Sequence, residues 1–380
     1  MTPVPFTDLA AMANDVWPSI EKNYLACMLG GGYIGGSAVT SFEQDWAAYC
    51  GADYAVGVAN GTDALELTLT ALGVGPGDEV IVPANTFIAT AAAVVRAGAA
   101  PRFAEVSDDT LLMTPSTLTE AITRRTRAVI VVHLFGQVPD MPGILGAASD
   151  AGIPVIEDAA QATGAEWDGQ RAGSFGEAAC FSFYPAKNLG AFGDAGAVVT
   201  SRPELAERVR TLANHGRSSG TSHYEHEYVG TNSRLDALQA IVLSGKLAQL
   251  DRWTQRRIEL ATRYRALLGD TELKLTGVAP LARHVYHLFV VRVAGRDGVQ
   301  AELARRGIQT GVHYPVPCHR QPPLQRFADR PLPVAERAAG QLLSLPMFPH
   351  LTDGQVDCTC EALGDVLRTM AAGSELIDAG

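Results

Sequence analysis

Lys187 is one of only four lysines in this 380-residue chain, with Lys22, Lys246 and Lys274; every other Lys/Arg position is arginine. It follows an apolar, aromatic run in "FSFYPAKNLG" and sits against a glycine-containing turn. Lysine differs from arginine in one chemical respect that matters here: its amine can lose its proton and form an imine, whereas a guanidinium stays protonated. A free lysine is almost wholly charged at neutral pH, and an apolar strand end supplies the desolvation that would lower its pKa. Two further strand ends carry suggestive residues. Asp158 lies in "IPVIEDAAQ", and Asn60-Gly61-Thr62 stands where an apolar strand meets a helical pattern. A glycine at a helix N-terminus lets backbone N–H groups and the helix dipole approach an anion such as phosphate. Each feature alone has an ordinary structural reading: a snorkelling lysine, a turn-capping acid, a helix N-cap.

Taken together they fit one cofactor. Pyridoxal phosphate (PLP) needs an amine for its aldehyde, a carboxylate to keep its pyridine nitrogen protonated and a dipole-rich cup for its phosphate. No GxxxxGK[ST] occurs, so the Gly61 turn is not a nucleotide P-loop.

The elements that must position these residues are legible from periodicity. From about residue 52 to 200, Val/Ile-rich runs ("YAVGVAN", "DEVIVPA", "RAVIVVHLFG", "IPVIEDAAQ", "AACFSFY", "GAVVTS") alternate with helical stretches. Continuous apolar strands between helices predict a largely parallel sheet covered on both faces, an α/β domain. In such sheets ligands bind beyond the C-terminal strand ends. A helix "PELAERVRTLANHG" and a polar loop holding His223, Tyr224 and His226 follow, these three read as solvated. One long helix is expected from Leu235 to Leu268, capped by Ser233 with Asp236 and bent at Gly245. The remainder predicts strands at "HVYHLFVVRV" and "GIQTGVHYP" and helices near 297–306, 334–343 and 352–370. That divides the chain into a large domain, 1–245, and a smaller α+β domain, 246–380.

Lys+Arg 30 against Asp+Glu 41 gives a net charge of −11, which argues against a nucleic-acid or anionic-membrane partner. There is no signal-peptide pattern and no apolar run long enough to span a bilayer, so a cytoplasmic protein is expected. The six cysteines are scattered without a CxxC pair and read as reduced thiols. His313 and His319 flank "YPVPC" but lack a third ligand at suitable spacing, so no metal site is expected.

The blocks "VANGTDALELTLTALGVGPGDEVIVPANTFIAT", "IPVIEDAAQATGA", "GSFGEAACFSFYPAKNLGAFGDAGAVVT", "NHG", "GTNSRLDALQA" and "GVHYPVPCHRQP" together resemble the DegT-type nucleotide-sugar aminotransferases. The resemblance runs in order over nearly the whole chain. It implies the fold-type-I PLP transferase fold, like aspartate aminotransferase: a large three-layer α/β/α domain, a smaller C-terminal α+β domain, and a homodimer with active sites at the subunit interface.

Carried over by position, Lys187 matches the Schiff-base lysine and Asp158 the partner of the pyridine nitrogen. Gln161 lies near the ring hydroxyl, Phe87 stacks on the ring, and Gly61, Thr62 and Ser182 form the phosphate cup. Asn232 reaches the phosphate of the other subunit. The stretch containing His313, Tyr314 and His319 approaches substrate, and Tyr33 belongs to the glycine-rich "LGGGYIGG" bordering that pocket.

The implied activity is ping-pong transfer of an amino group from glutamate to a keto-6-deoxysugar. The sugar is carried on a nucleotide diphosphate, dTDP being favoured, and is aminated at C-3 or C-4 in deoxyamino-sugar and antibiotic biosynthesis. Relatives that dehydrate sugars at C-3 carry His where Lys187 stands, so lysine here favours transamination. Rival readings are a keto-cyclitol aminotransferase, a non-catalytic regulator on the same fold, which the intact Lys187 and Asp158 argue against, and a nicotinamide-dependent oxidoreductase. The last lacks GxGxxG after the first strand.

Overall fold

Along the strand "EVIVP", Val80 and Val82 pack into one apolar cluster and Ile81 into another, and "RAVIVV" divides its side chains in the same way. A strand buried on both faces needs helices on both sides, and the chain supplies them. The computed structural model describes residues 3–217, 224–269, 271 and 273–378. It opens with helices α1 (Leu9–Gly30) and α2 (Ser37–Cys50), then β1 (Tyr54–Val58), α3 (Gly61–Ala71), β2 (Glu79–Pro83), α4 (Ile88–Arg96) and β3 (Ala100–Ala104). The short α5 (Pro115–Thr119), β4 (Thr126–Val132), α6 (Met141–Asp150) and β5 (Val155–Asp158) follow. A small hairpin, β6 (Glu166–Trp167) and β7 (Gln170–Arg171), leads to β8 (Ala178–Ser182), β9 (Gly196–Thr200) and α7 (Pro203–Ala213). Next come α8 (Ala237–Leu247), α9 (Leu250–Leu268), β10 (Lys274–Leu275), β11 (Ala282–Arg283) and β12 (Phe289–Arg292). The described chain closes with α10 (Arg296–Arg305), α11 (Pro333–Ala339), β13 (Leu342–Leu345) and α12 (Asp353–Asp378).

Among the described residues the central sheet has seven strands in the order β1-β9-β8-β5-β4-β2-β3. It is parallel except for β9, which runs antiparallel to both β1 and β8. This is the expected three-layer α/β architecture. One face packs Leu65 and Leu69 of α3 and Val209 of α7; the other packs Phe42 and Trp46 of α2, Ile144 of α6 and Leu243 of α8. A second core joins α9, β12, β13, α10 and α12 through Tyr264, Phe289, Leu303, Leu343 and Leu363. Val4 also lies in that core, paired with Ile308. Among the described residues no helix is long and apolar enough to cross a membrane.

The structure corrects several expectations. The predicted helix from Leu235 to Leu268 is two helices, α8 and α9, separated at Ala248–Gln249. Ser233 does not cap it: its hydroxyl donates to Asp63 Oδ2 (2.8 Å) and accepts from Ala59 N–H (3.1 Å), tying the segment to the start of α3. Gly245 is not the bend. A Cβ there would stand 2.2 Å from Ile20 Cγ2, so its bare backbone lets α1 and α8 close together. The expected boundary at 245/246 falls within α8.

The stretch "GIQTGVHYP" makes only the isolated bridges Ile308 to Val4 and Gly311 to Ser344. The helix predicted at 334–343 stops at Ala339, and the buried "LLSL" becomes β13, paired antiparallel with β12. The periodicity also passes over β3, whose Pro101 and Arg102 interrupt the apolar pattern. As the sheet's edge strand it tolerates proline.

Gly245→Ala tests the α1–α8 contact. Helix propensity alone would favour alanine by about 1 kcal/mol, but overpacking against Ile20 should cost more, about 1–3 kcal/mol. Denaturant unfolding is expected to show a net loss; a stabilised variant would show that α1 does not seat there.

Candidate active site

Side chains alternate along a strand, so neighbours at the end of β5 serve opposite faces. Glu157 is fully buried on one side. Its carboxylate accepts from His133 Nε2 (2.8 Å) and from the backbone N–H groups of Gly173 (2.9 Å), Phe175 (2.8 Å) and Gly176 (3.0 Å). Burial alone would raise its pKa, but these donors win and hold it below the ordinary carboxylate value. Asp158 faces the other side. Its Oδ2 accepts from Thr90 Oγ1 (2.7 Å) and its Oδ1 from Ala160 N–H (3.2 Å). Here burial prevails and the carboxyl is raised, opposed by those donors and by Lys187 and His133.

Beyond β8 the chain turns sharply and presents Lys187. Its backbone N–H donates to Tyr184 O (2.8 Å), and Gly190 closes the turn where a Cβ would fall 2.3 Å from Pro185 O. Helix α8 clamps this loop from behind. Lys246, itself buried, donates from Nζ to Gly190 O (2.6 Å) and lies 4.9 Å from the centre of the Phe192 ring. Gln239 accepts from Phe192 N–H (2.8 Å), and Asn188 Nδ2 donates to Val285 O (3.1 Å). Lys187 is partly buried, and among the described residues no hydrogen bond holds its Nζ. Desolvation lowers its pKa to about 8 against the pull of Asp158. His287 and His313 lie within electrostatic reach of that amine, and burial, reinforced by its charge, keeps both imidazoles neutral.

The expected anion cup lies where α3 meets β8. Asn60 caps α3 by accepting from Asp63 N–H (2.8 Å). Gly61 is required by close approach, since a Cβ would lie 2.7 Å from Ser182 Cβ. Partly buried Gly61, Thr62 and Ser182 therefore share one corner at the helix N-terminus. On the opposite side Phe87 is 53% exposed, with its ring 5.5 Å from that of Tyr314. Gln161 fixes Tyr314 by donating to its hydroxyl (3.0 Å), and accepts from Phe135 N–H (2.6 Å).

An amine, a buried carboxylate, a helix N-terminus and an uncovered aromatic ring thus converge at the C-terminal ends of β5 and β8. The DegT/DnrJ/EryC1/StrS aminotransferase family profile matches residues 18–364. This chain belongs to that family. It is 47% identical to the dTDP-3-amino-3,4,6-trideoxy-alpha-D-glucose transaminase of Streptomyces venezuelae, over 92% of each chain. It is 45% identical to the erythromycin biosynthesis sensory transduction protein EryC1 of Saccharopolyspora erythraea, over 98% of this chain and 100% of that one. The crystal structure of S. venezuelae DesV with a ketimine intermediate superposes with a TM-score of 0.92 at 46% identity, covering 96% of this chain and 98% of that chain. Solved neighbours carry the cofactor as PMP or PLP. The protein is a PLP-dependent aminotransferase, and the donor set fits the group: one amine free of hydrogen bonds, one acid raised by burial, and a helix N-terminus too crowded for any side chain at Gly61.

The structure of this aminotransferase does not bring every expected residue to the cleft. His319 is fully buried: its Nε2 donates to Glu336 (2.8 Å) and its ring lies 6.0 Å from that of Phe103. It cannot touch substrate, because the proline-rich loop folds its side chain inward. His313 instead bonds Ser344 Oγ (2.9 Å) and stacks on Phe6. Asn232 is exposed, its backbone bridged to Asn214. Tyr33 is exposed beside the glycine-rich run that joins α1 to α2, its hydroxyl donating to Met28 O (2.8 Å). That run follows a helix, not a strand, so it is no dinucleotide turn. In the polar loop Tyr224 is exposed and His226 donates from Nδ1 to His215 O (2.8 Å); His223 lies outside the described residues. A cavity of about 1010 Å³ opens at the N-terminal ends of β4, β5 and β8, around Arg127, Val155 and Glu177, and contains none of the site residues.

Sequence reasoning missed Thr86, Thr90, His133, Glu157, Lys246 and His287. The scarcity of lysine was a usable signal for Lys246; Thr86 is defined through its neighbour Thr90, and the others by contacts distant in sequence.

Only a neutral amine attacks an aldehyde, so covalent capture of PLP by cofactor-free protein should rise with pH to a midpoint near 8, not near the ordinary 10.5. Lys187→Ala should retain the fold but carry no pyridoxyl group after borohydride reduction, as read by mass spectrometry; label on another residue would refute the assignment. Glu157→Gln sets an amide N–H against inward-pointing donors and should cost about 3–5 kcal/mol in denaturant unfolding.

Proposed function

We propose that this enzyme transfers the amino group of glutamate to C-3 of a dTDP-linked 3-keto-6-deoxysugar, releasing 2-oxoglutarate. The observation that carries this reading is an intact Lys187–Asp158 pair in a chain matched almost end to end by a transaminase named for a dTDP-3-amino sugar. When bound, PLP supplies an aldehyde that condenses with amines and a ring that accepts the electrons left when a carbon beside nitrogen loses its proton.

The protein's residues do the rest. Asp158, ionised, would hold the pyridine nitrogen protonated, and the Gly61–Thr62 turn with Ser182 would bind the phosphate. Phe87 would cover the ring, an aromatic contact worth about 1 kcal/mol beyond burial. Gln161 would stand beside the ring hydroxyl. Lys187 would anchor the aldehyde until an incoming amine replaces it. Its released Nζ then takes the proton from the donor's Cα, and later delivers one to C-3 of the sugar. A pKa lowered toward neutrality suits both directions of that transfer. His313 and Tyr314, neutral and partly buried beside the cleft, are the groups available to a sugar hydroxyl or pyrophosphate.

Leu29 (81% exposed), Met28, Tyr33 and Ile34 form an apolar ridge at the end of α1, beside exposed Asn232. Such a surface supports the homodimer, with Asn232 reaching the partner's phosphate cup. The proposed nucleotide-sugar and glutamate substrates support a cytoplasmic location.

Incubation with glutamate and either the dTDP-3-keto or the dTDP-4-keto 6-deoxysugar, beside a keto cyclitol, tests the assignment. The 3-amino sugar should form with one equivalent of 2-oxoglutarate. Amination only of the 4-keto sugar or of the cyclitol would overturn it.

A further inference from the structure

The first turn of α4 does more than present Phe87. Thr86 and Thr90 flank that ring in sequence and are both buried, at 2% and 0% exposure. Their hydroxyl oxygens lie 2.8 Å apart, and Thr90 Oγ1 lies 2.7 Å from Asp158 Oδ2. Proton counting orders the chain. Each hydroxyl has one hydrogen, and an ionised carboxylate can only accept. Thr90 must therefore give its hydrogen to Asp158, and Thr86 must give its own to Thr90. A proton on Oδ2 of Asp158 facing Thr90 would force the Thr90 hydroxyl to turn its hydrogen elsewhere. In a buried setting such a chain polarises along its length, so the second donor strengthens the first.

We propose that Thr90, backed by Thr86, is a positioning residue that holds Asp158 as a carboxylate directed at the pyridine nitrogen of PLP. The need follows from burial, which works against the ionised form of Asp158. The other groups acting on it are the Ala160 N–H, Lys187 and His133, with Cys180 and Tyr314 also within electrostatic reach. Lys187 would be engaged by the aldehyde when the cofactor is held. His133 is committed to Glu157 on the far side of the sheet. The Ala160 contact, at 3.2 Å, is the longer of the two hydrogen bonds. Thr90 is thus the short, permanent donor. Its place one turn from Phe87 couples the ring's cover to the acid beneath it: if α4 shifts, both contacts are lost together.

The inference rests on the pairing of Asp158 with the pyridine nitrogen, and the experiment separates the two. PLP is titrated into cofactor-free wild type, Thr90→Val, Thr90→Ser, Thr86→Val, Asp158→Ala and the Thr90→Val/Asp158→Ala double variant across pH 5–9, with the melting temperature of each apoprotein recorded. Loss of a hydrogen bond to a charged group should weaken PLP binding by Thr90→Val about ten- to a hundred-fold. Serine should restore affinity to within about threefold. Removing the donor lets Asp158 protonate more readily, so the acid-side fall in affinity should begin at higher pH in Thr90→Val, and less so in Thr86→Val. In the Asp158→Ala background Thr90→Val should add nothing.

Equal losses for serine and valine, or additive losses in the double variant, would overturn the relay while leaving the role of Asp158 standing. Wild-type affinity for Asp158→Ala would overturn both. Should Thr90→Val fail to fold, an unshifted acid limb in Thr86→Val would refute the proposal.

Discussion

Lys187 and Asp158 make opposite demands on one water-poor cleft. In the proposed reaction the amine must lose its proton easily, which burial promotes, and the acid must keep its charge, which burial opposes. Unequal hydrogen bonding eases the conflict, although burial still prevails at Asp158. Among the described residues Asp158 receives a hydroxyl and a backbone N–H, whereas Lys187 Nζ has no partner and its pKa falls to about 8. A uniformly polar cleft would have kept the lysine protonated, and a uniformly apolar one would have neutralised the acid.

The scaffold can impose this asymmetry because each group sits where strand geometry dictates direction. Alternation along β5 sends Glu157 into the donors of the Gly173–Gly176 turn and His133, so the end of the strand is anchored from behind. Asp158 is then free to serve the cleft. Lys187 stands on a loop, a less rigid support, and α8 compensates by holding its far end with Lys246 and Gln239. That buried ammonium bonded to a backbone carbonyl is costly by itself. Its position against the loop that carries Lys187 gives that cost a purpose.

The same fold serves proteins whose names describe enzymes and, in EryC1, sensory transduction. Architecture therefore does not decide activity; the side chains in the cleft do. Lys187, Asp158 and the bare corner at Gly61 are all in place, so the chemistry of amine exchange is available to this chain whatever role its relatives' names suggest.

Features that depend on neighbours along the chain were legible without coordinates. Apolar runs of strand length between helical periods determined the α/β sandwich, and the types of Lys187, Asp158 and Gly61 at strand ends determined the chemistry. Features that depend on distant partners were not. Ser233 looked like a helix cap until Asp63 claimed it, His319 like a substrate contact until Glu336 did, and Gly245 like a hinge until Ile20 filled the space beside it. The pattern in "LLSL" could not distinguish the end of a helix from a strand, because only pairing with β12 selects between them. Thr90 and Lys246 belong to this second class: their hydroxyl and ammonium groups are common on surfaces, and only folding brings them to a buried carboxylate and a buried carbonyl.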